Sequence, residues 1–388
     1  MTPNVATNAT ASVARARPLT VISVAYALAP VRPDAAGGAE QVLGAVDRAL
    51  AAAGHRSVVV AMAGSEVAGT LAAVPAPPAG HTIDDAMRLA QQARVRATLA
   101  ATLAGLARAG TPADLVHFHG LDVADVIGAA AVDGAPVPAL VTLHLPPAWY
   151  PEAIWSLGDP NGPRPDTWLH CVSVAQHRAC PPGARLLPPV PNGVAVPAAP
   201  PIVRRRDYAL CLGRVCPEKG YHLAAEAAAR AGVPLLVAGQ LYPYAAHVRY
   251  WEDELRPRMG RGRARFVGTV DPARKRRLLA GARCLVVPSL AEETSSLVAM
   301  EAAAAGTPVV AFRRGALPEV VEHGRTGWLA DSVDDLADGI RWAAEIDPGT
   351  CWATARARFD EGRMTAAYLT LYERACYEAI AAAARVTQ

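Results

Sequence analysis

Apolar residues fall along this chain in short blocks that alternate with longer stretches at helical spacing. Residues 19–26 are apolar and β-rich, bounded by Pro18, and predict a first buried strand. Past a Pro-containing loop and the pair Gly37-Gly38, residues 39–53 predict a helix. Val42, Leu43, Val46 and Leu50 share one face of it, and Gly54 closes it. Residues 57–62 predict a second strand, 64–80 a loop or weakly extended segment, and 83–109 a helix. Further strands are expected over 115–119, 139–144 and 168–174. Prolines and then charges over 194–206 mark a linker. A second series follows, with strands over 208–212, 234–239, 265–268, 284–288 and 309–312. Helices are expected over 331–346, 350–359 and 364–384, the last with Tyr368, Tyr372, Cys376 and Ile380 at helical spacing. Strands alternating with helices predict parallel sheets covered on both faces, with ligands at the C-terminal strand ends.

One unit concentrates the candidate chemistry. The strand 284–288 runs into a polar loop holding Glu292 and Glu293. Ser295 and Ser296 offer hydroxyls to cap the next helix, which carries Glu301 and stops at Gly306, just before Pro308. Ionised carboxylates only accept hydrogen bonds, so Glu293 and Glu301 suit a ligand rich in hydroxyls. The helix start between them offers free N–H groups to a phosphate. A lone pair of glutamates at this spacing is equally what a solvated helix start would show. Elsewhere, the strand ending at Leu212 delivers Gly213, Arg214, Glu218, Lys219 and Gly220, a basic turn at a helix start. His119 and His144 each stand where a strand meets the ligand edge. Gly37 and Gly38 form a Gly-rich turn before a helix, without the G-x-G-x-x-G of dinucleotide binding.

Composition narrows the class. A chain of 388 residues has room for two domains, and no apolar run is long and charge-free enough for a membrane span. Residues 1–17 are polar, lack a signal-peptide core and are expected to form a disordered leader. Seven scattered cysteines without C-x-x-C fit a reduced, cytoplasmic location and no structural zinc site. A net charge of only +3 gives no reason to expect nucleic acid as a partner. Arginines cluster over 256–277, a solvated face that leaves peripheral membrane contact open. Only two lysines, Lys219 and Lys275, occur among 38 basic residues, so a lysine kept inside a motif is informative.

The segment PSLAEETSSLVAMEAAAAGTPVVA resembles the E-x7-E nucleotide-sugar signature of retaining glycosyltransferases with the GT-B fold, the large group related to glycogen synthase and sucrose synthase. The resemblance extends through residues 212–220, 237–239, 266–270 and 324–329, and to the P-N-G turn at Asn192. It implies two Rossmann-like domains facing a central cleft. An N-terminal acceptor domain would span 18–196 and a nucleotide-sugar domain 197–362, with a final helix over 363–388 crossing back onto the first domain. It further implies transfer of a sugar, with retention, from a nucleoside-diphosphate sugar, UDP-sugar first, to a hydroxyl of a small molecule, glycan or lipid. Carbohydrate or natural-product biosynthesis is the setting this suggests.

On that resemblance, Arg214 and Lys219 neutralise the leaving diphosphate, Glu293 reads the sugar and Glu301 holds the ribose. His144 touches the sugar. Gly213, Gly239, Gly268, Thr269, Thr294, Ser295, Ser296 and Leu297 line the donor site. Gly37, Gly38 and His119 line the phosphate or acceptor side. No cofactor beyond the donor substrate and no metal are expected, and no D-x-D pair is present. The chain departs from the family's G-F-G between the glutamates, having Thr294-Ser295-Ser296, which bears on the identity of the sugar. Two other classes fit the same pattern: an epimerase or phosphorylase of the same fold, and a nucleotide-sugar binding protein without catalysis.

Overall fold

The computed structural model describes residues 17–386, apart from 34, 36, 79–82, 163, 202–203 and 261–262, with side chains through Cys376. The expected leader lies outside these residues except for Arg17, whose guanidinium donates to Asp114. Ile380 of the expected stripe on the last helix lies beyond the described side chains.

The first half builds β1 (Thr20–Val24), α1 (Gly38–Ala52), β2 (Arg56–Met62), β3 (Thr70–Val74) and α2 (Asp85–Arg108). It continues with β4 (Leu115–Phe118), the short α3 (Val123–Val126), a β5/β6 ribbon (Ala131–Val132 and Ala135–Pro136), β7 (Ala139–Leu143), β8 (Thr167–Cys171) and α4 (Val174–Ala179). Six of these strands form one parallel sheet in the order β3-β2-β1-β4-β7-β8. Its inner strands β1, β4 and β7 are buried throughout, as continuous apolar runs in a sheet covered on both faces must be, and so is β8 at one edge. Strand β3 falls within 64–80, the segment expected to be a loop or weakly extended. Its residues, TLAAV, are mostly part-exposed because it sits at the sheet edge and pairs only with β2. With only Val74 buried, β3 needs no continuous apolar run and reads weakly in sequence, unlike the buried edge strand β8.

The second half builds β9 (Ala209–Leu212), α5 (Tyr221–Ala231), β10 (Leu235–Ala238), α6 (Ala245–Tyr250), β11 (Ala264–Gly268), α7 (Pro272–Gly281) and β12 (Cys284–Val287). Then come α8 (Leu297–Ala304), β13 (Val309–Phe312), α9 (Leu317–Val320), β14 (Gly327–Ala330), α10 (Val333–Trp342), α11 (Pro348–Arg358) and α12 (Glu361–Val386). Its sheet repeats the same order, β11-β10-β9-β12-β13-β14, again all parallel. Each sheet therefore has a switch point, between β1 and β4 and between β9 and β12, where a ligand crevice opens at the C-terminal strand ends.

The chain returns to the first sheet at its end. Val194 donates to the Phe359 carbonyl (2.7 Å) and accepts from the Glu361 N–H (2.9 Å), so the outgoing and returning segments are tied together. Helix α12 then packs on α1 and β4, burying Tyr368 and Tyr372 completely. One hydrophobic cluster consequently runs from Val46 and Leu140 through Tyr368 to Leu285 and Met300. The arginines expected to make a solvated face do so where described: Arg256 and Arg258 are exposed and pair with Glu252 and Glu254 one turn earlier.

Candidate active site

A cleft of about 520 Å³ opens between the C-terminal edges of the two sheets. Every candidate residue from the sequence lines it except Gly220 and Gly268. Gly268 supports the wall from behind, its carbonyl accepting the Gly239 N–H at 2.9 Å.

On the second-domain side, the strand ends β9 and β10 are glycines that pass in contact. Gly239 has φ +159, and a Cβ on it would lie 1.7 Å from the Gly213 carbonyl oxygen. No side chain fits there, which lets Arg214 and Lys219 follow directly from the strand edge. Lys219 ends a single turn, Pro217–Lys219, just ahead of α5. Its Nζ donates to Glu293 Oε1 at 2.6 Å. Burial alone would push the Glu293 carboxyl up. The Lys219 charge and hydrogen bond, with Ser289 and Arg214, outweigh it and hold the group below the usual carboxylate range. Lys275 on α7 mirrors this arrangement, donating to Glu301 Oε1 at 2.6 Å. Both glutamates of the signature are thus paired, and their partners are the only two lysines in the chain. The sequence marked Lys275 as unusual and gave it no role.

The expected capping by serine does not occur. Ser296 precedes α8 with φ +74 and ψ 70, in the left-handed region, and makes no side-chain cap bond. A capping residue needs extended backbone to reach the N–H two or three residues on. The Oγ atoms of Ser295 and Ser296 are both buried without a hydrogen-bond partner. Ser296 stands where the resembled pattern has glycine, and its positive φ is the conformation glycine adopts without strain. The result is a helix start with free N–H groups and two unpartnered hydroxyls, between two carboxylates, in the cleft wall.

The first-domain side differs from expectation in what occupies the Gly37-Gly38 turn. Glu40, 6% exposed, folds back so that its Oε2 would lie 1.9 Å from a Cβ on Gly37. Burial pushes its carboxyl up, opposed by its own backbone N–H and by Arg214 across the cleft. A carboxyl group rather than an open anion site therefore covers the start of α1. Sequence reasoning passed over Glu40 because it looks like one more polar position on an amphipathic helix.

His119 and His144 meet: Nδ1 of His119 and Nε2 of His144 are 3.0 Å apart. Behind them runs a chain of hydrogen bonds that no local pattern revealed. His119 Nε2 approaches His117 Nδ1 (3.1 Å), which also meets the Tyr372 hydroxyl (2.7 Å). His117 Nε2 and His170 Nε2 both bond Thr142 Oγ1 at 2.7 Å. Burial lowers all four imidazoles, His144 to about 3 and His170 to about 4, and neighbouring histidines lower His117, His119 and His144 further. They are neutral at physiological pH. Thr294 closes the cleft from the other side, donating to the His144 carbonyl at 2.8 Å.

Two facing Rossmann-like domains with this cleft make the protein one of the GT-B architecture. Residues 206–345 match the family described as glycosyl transferases group 1, and residues 36–172 match glycosyltransferase family 4. Matches to glycosyltransferase families thus cover most of each half of the chain. It is 34% identical over 187 residues to glycogen synthase of Mycobacterium tuberculosis, an alignment covering 45% of this chain and 44% of that one. In each of the first curated relatives the matched stretch spans less than half of the relative's length. Sucrose-phosphate synthase from Thermosynechococcus elongatus superposes with a TM-score of 0.74 at 20% identity, over 92% of this chain and 98% of that one. HepE of Anabaena, solved with UDP and glucose, gives a TM-score of 0.68 at 19% identity over 92% and 99% of the two chains. Among the described residues no helix is long and apolar enough to cross a membrane.

Proposed function

We propose that the protein transfers a sugar from a nucleoside-diphosphate sugar, a UDP-sugar first among them, to a hydroxyl of a small-molecule, glycan or lipid acceptor. The reaction retains anomeric configuration and needs no metal. The observation that carries this reading is the α8 start, where free N–H groups and two unpartnered serine hydroxyls lie between two lysine-paired carboxylates. The diphosphate takes Arg214, Lys219 and the helix start; negative charge growing on the leaving phosphate is met by groups already in place. Lys219 then turns from Glu293 to phosphate, which frees Glu293 for the sugar hydroxyls. Glu301 accepts from the ribose diol. His144, held neutral, offers its remaining ring nitrogen and its fixed carbonyl to the sugar side.

The test is a thermal-shift screen of UDP-, GDP- and ADP-sugars followed by turnover assays, all with EDTA present. A donor that stabilises the fold binds it, since stabilisation grows with ligand over Kd. The expected result is one nucleotide class that raises Tm and supports transfer despite chelation. Activity that vanishes in EDTA and returns with magnesium or manganese would overturn the metal-free part.

The two glutamates should separate in binding experiments. Glu301→Ala is expected to weaken both free nucleoside diphosphate and the donor roughly ten- to hundredfold, since a charged hydrogen bond contributes about 1.5–3 kcal/mol. Glu293→Ala should leave free diphosphate affinity nearly intact and damage transfer. Equal losses of nucleotide affinity in both folded variants, by isothermal titration, would show the division to be wrong.

A further inference from the structure

We propose that Cys216, Glu218 and His247 form a binding site for a divalent transition-metal ion of zinc's class. Their ligand atoms, a thiol sulfur, a carboxylate oxygen and an imidazole nitrogen, all lie within 4.8 Å of one another. They are brought together by topology. Cys216 and Glu218 flank Pro217 in the turn after β9, and His247 sits on α6, which follows the neighbouring strand β10. A second, independent observation points to a ligand: His247 Nδ1 is buried and has no hydrogen-bond partner. The other two donors already face each other. Beyond a side-chain hydrogen bond between Cys216 and Glu218 themselves, the Cys216 sulfur approaches the Arg214 carbonyl at 3.8 Å.

The donor set selects the ion. Thiolate with imidazole disfavours magnesium and calcium, which take oxygen ligands, and suits zinc or cobalt. Metal–ligand bonds of about 2.0–2.3 Å in a tetrahedron need donors roughly 3.5 Å apart, within reach of small side-chain movements from the observed spacing. The thiol proton leaves to solvent as the sulfur binds. Three protein ligands leave a fourth position for water or another small ligand. The residues line the cleft beside Lys219. An ion there adds positive charge on the side where the sugar-transfer reading seats the diphosphate. The metal site is separate from that reading and is tested without it.

The full chain, stripped of metal and kept reduced, is titrated with zinc by calorimetry and with cobalt by absorption. One tight zinc site per chain and a thiolate-to-cobalt charge-transfer band are expected. Cys216→Ser should abolish the band. His247→Ala should weaken zinc more than roughly 100-fold, given that even outer-shell partners of a metal ligand cost ~10–100-fold. Cys180→Ser, in the other half of the chain, should change neither. Circular dichroism and thermal melting confirm that each variant is folded. No zinc binding by the wild type, or binding unchanged in folded Cys216→Ser and His247→Ala, would overturn the proposal. So would a band lost in Cys180→Ser, which would put the metal on the Cys171 and Cys180 sulfurs, 3.5 Å apart.

Discussion

Lys219→Ala is expected to lower kcat/KM roughly 30- to 1000-fold, about 2–4 kcal/mol of transition-state stabilisation, the range for a preorganised group facing developing charge. Two contributions are removed together. The ammonium is one of two cations beside the expected diphosphate, and it is the direct partner of Glu293. Without it the Glu293 carboxylate, 10% exposed, has lost its closest counter-charge. Its pKa then rises, because burial is the largest influence on this group and is no longer offset by Lys219. Stability should fall as well, since stranding one partner of a buried pair is costly. The double variant Lys219→Ala with Glu293→Gln separates the two effects: it should recover the melting temperature and stay inactive. Lys219→Arg should recover charge but only part of the turnover, because a planar fork does not reproduce a compact ammonium at 2.6 Å from its partner. Wild-type turnover in Lys219→Ala would remove this residue from the mechanism.

Acid should undo the fold sooner than carboxylates alone would explain. An unfolded histidine takes up a proton near pH 6.5, whereas the buried imidazoles of His117, His119 and His170 stay neutral well below that. Stability is therefore complete above about pH 6.5 and declines as pH falls toward the folded values. Each histidine still neutral at pH 5 costs about 2 kcal/mol there, from 1.5 pH units at 1.36 kcal/mol per unit. His170, 0% exposed and held at about 4, should by itself remove about 2 kcal/mol between pH 6.5 and 5, and the buried His117 acts in the same direction. His144 reaches the cleft and its water, so it adds less. Denaturant unfolding at a series of pH values reads this slope. His117→Gln should flatten it by about one proton, even if it lowers stability at neutral pH by disturbing Thr142 and Tyr372. A free energy unchanged between pH 7 and 5 would mean that the histidines are charged in the folded protein.

Much of this architecture was legible in the chain because a doubly covered parallel sheet writes its strands as short apolar blocks. Strands β1, β2, β4, β7, β9, β12 and β13 all lie within or beside their predicted spans. The edge strand β3 showed only as a loop or weakly extended segment, since just one of its five residues is buried, and helix α6 went unread because six residues are too few to show a period. The second-domain wall was readable as a motif, since Gly213 to Lys219 and Glu293 to Glu301 are each local in sequence. What the residues do to one another was not. The pairings Lys219–Glu293 and Lys275–Glu301 span 74 and 26 positions, and the contact between His117 and Tyr372 spans 255. Such contacts depend on how one sheet faces the other. Ser295 and Ser296 misled for a different reason: hydroxyls before a helix ordinarily cap it, and only the left-handed backbone at Ser296 prevents that.

The chain's two lysines have a consequence for its surface chemistry. Both side chains are about one-fifth exposed and both stand in the cleft. Apart from the amino terminus, the protein carries no primary amine anywhere else. Reagents that acylate or reductively alkylate amines, which on most proteins decorate the whole surface, here have only the cleft walls to find. Amine coupling to a solid support would seize the molecule by its amino terminus or by its own binding site.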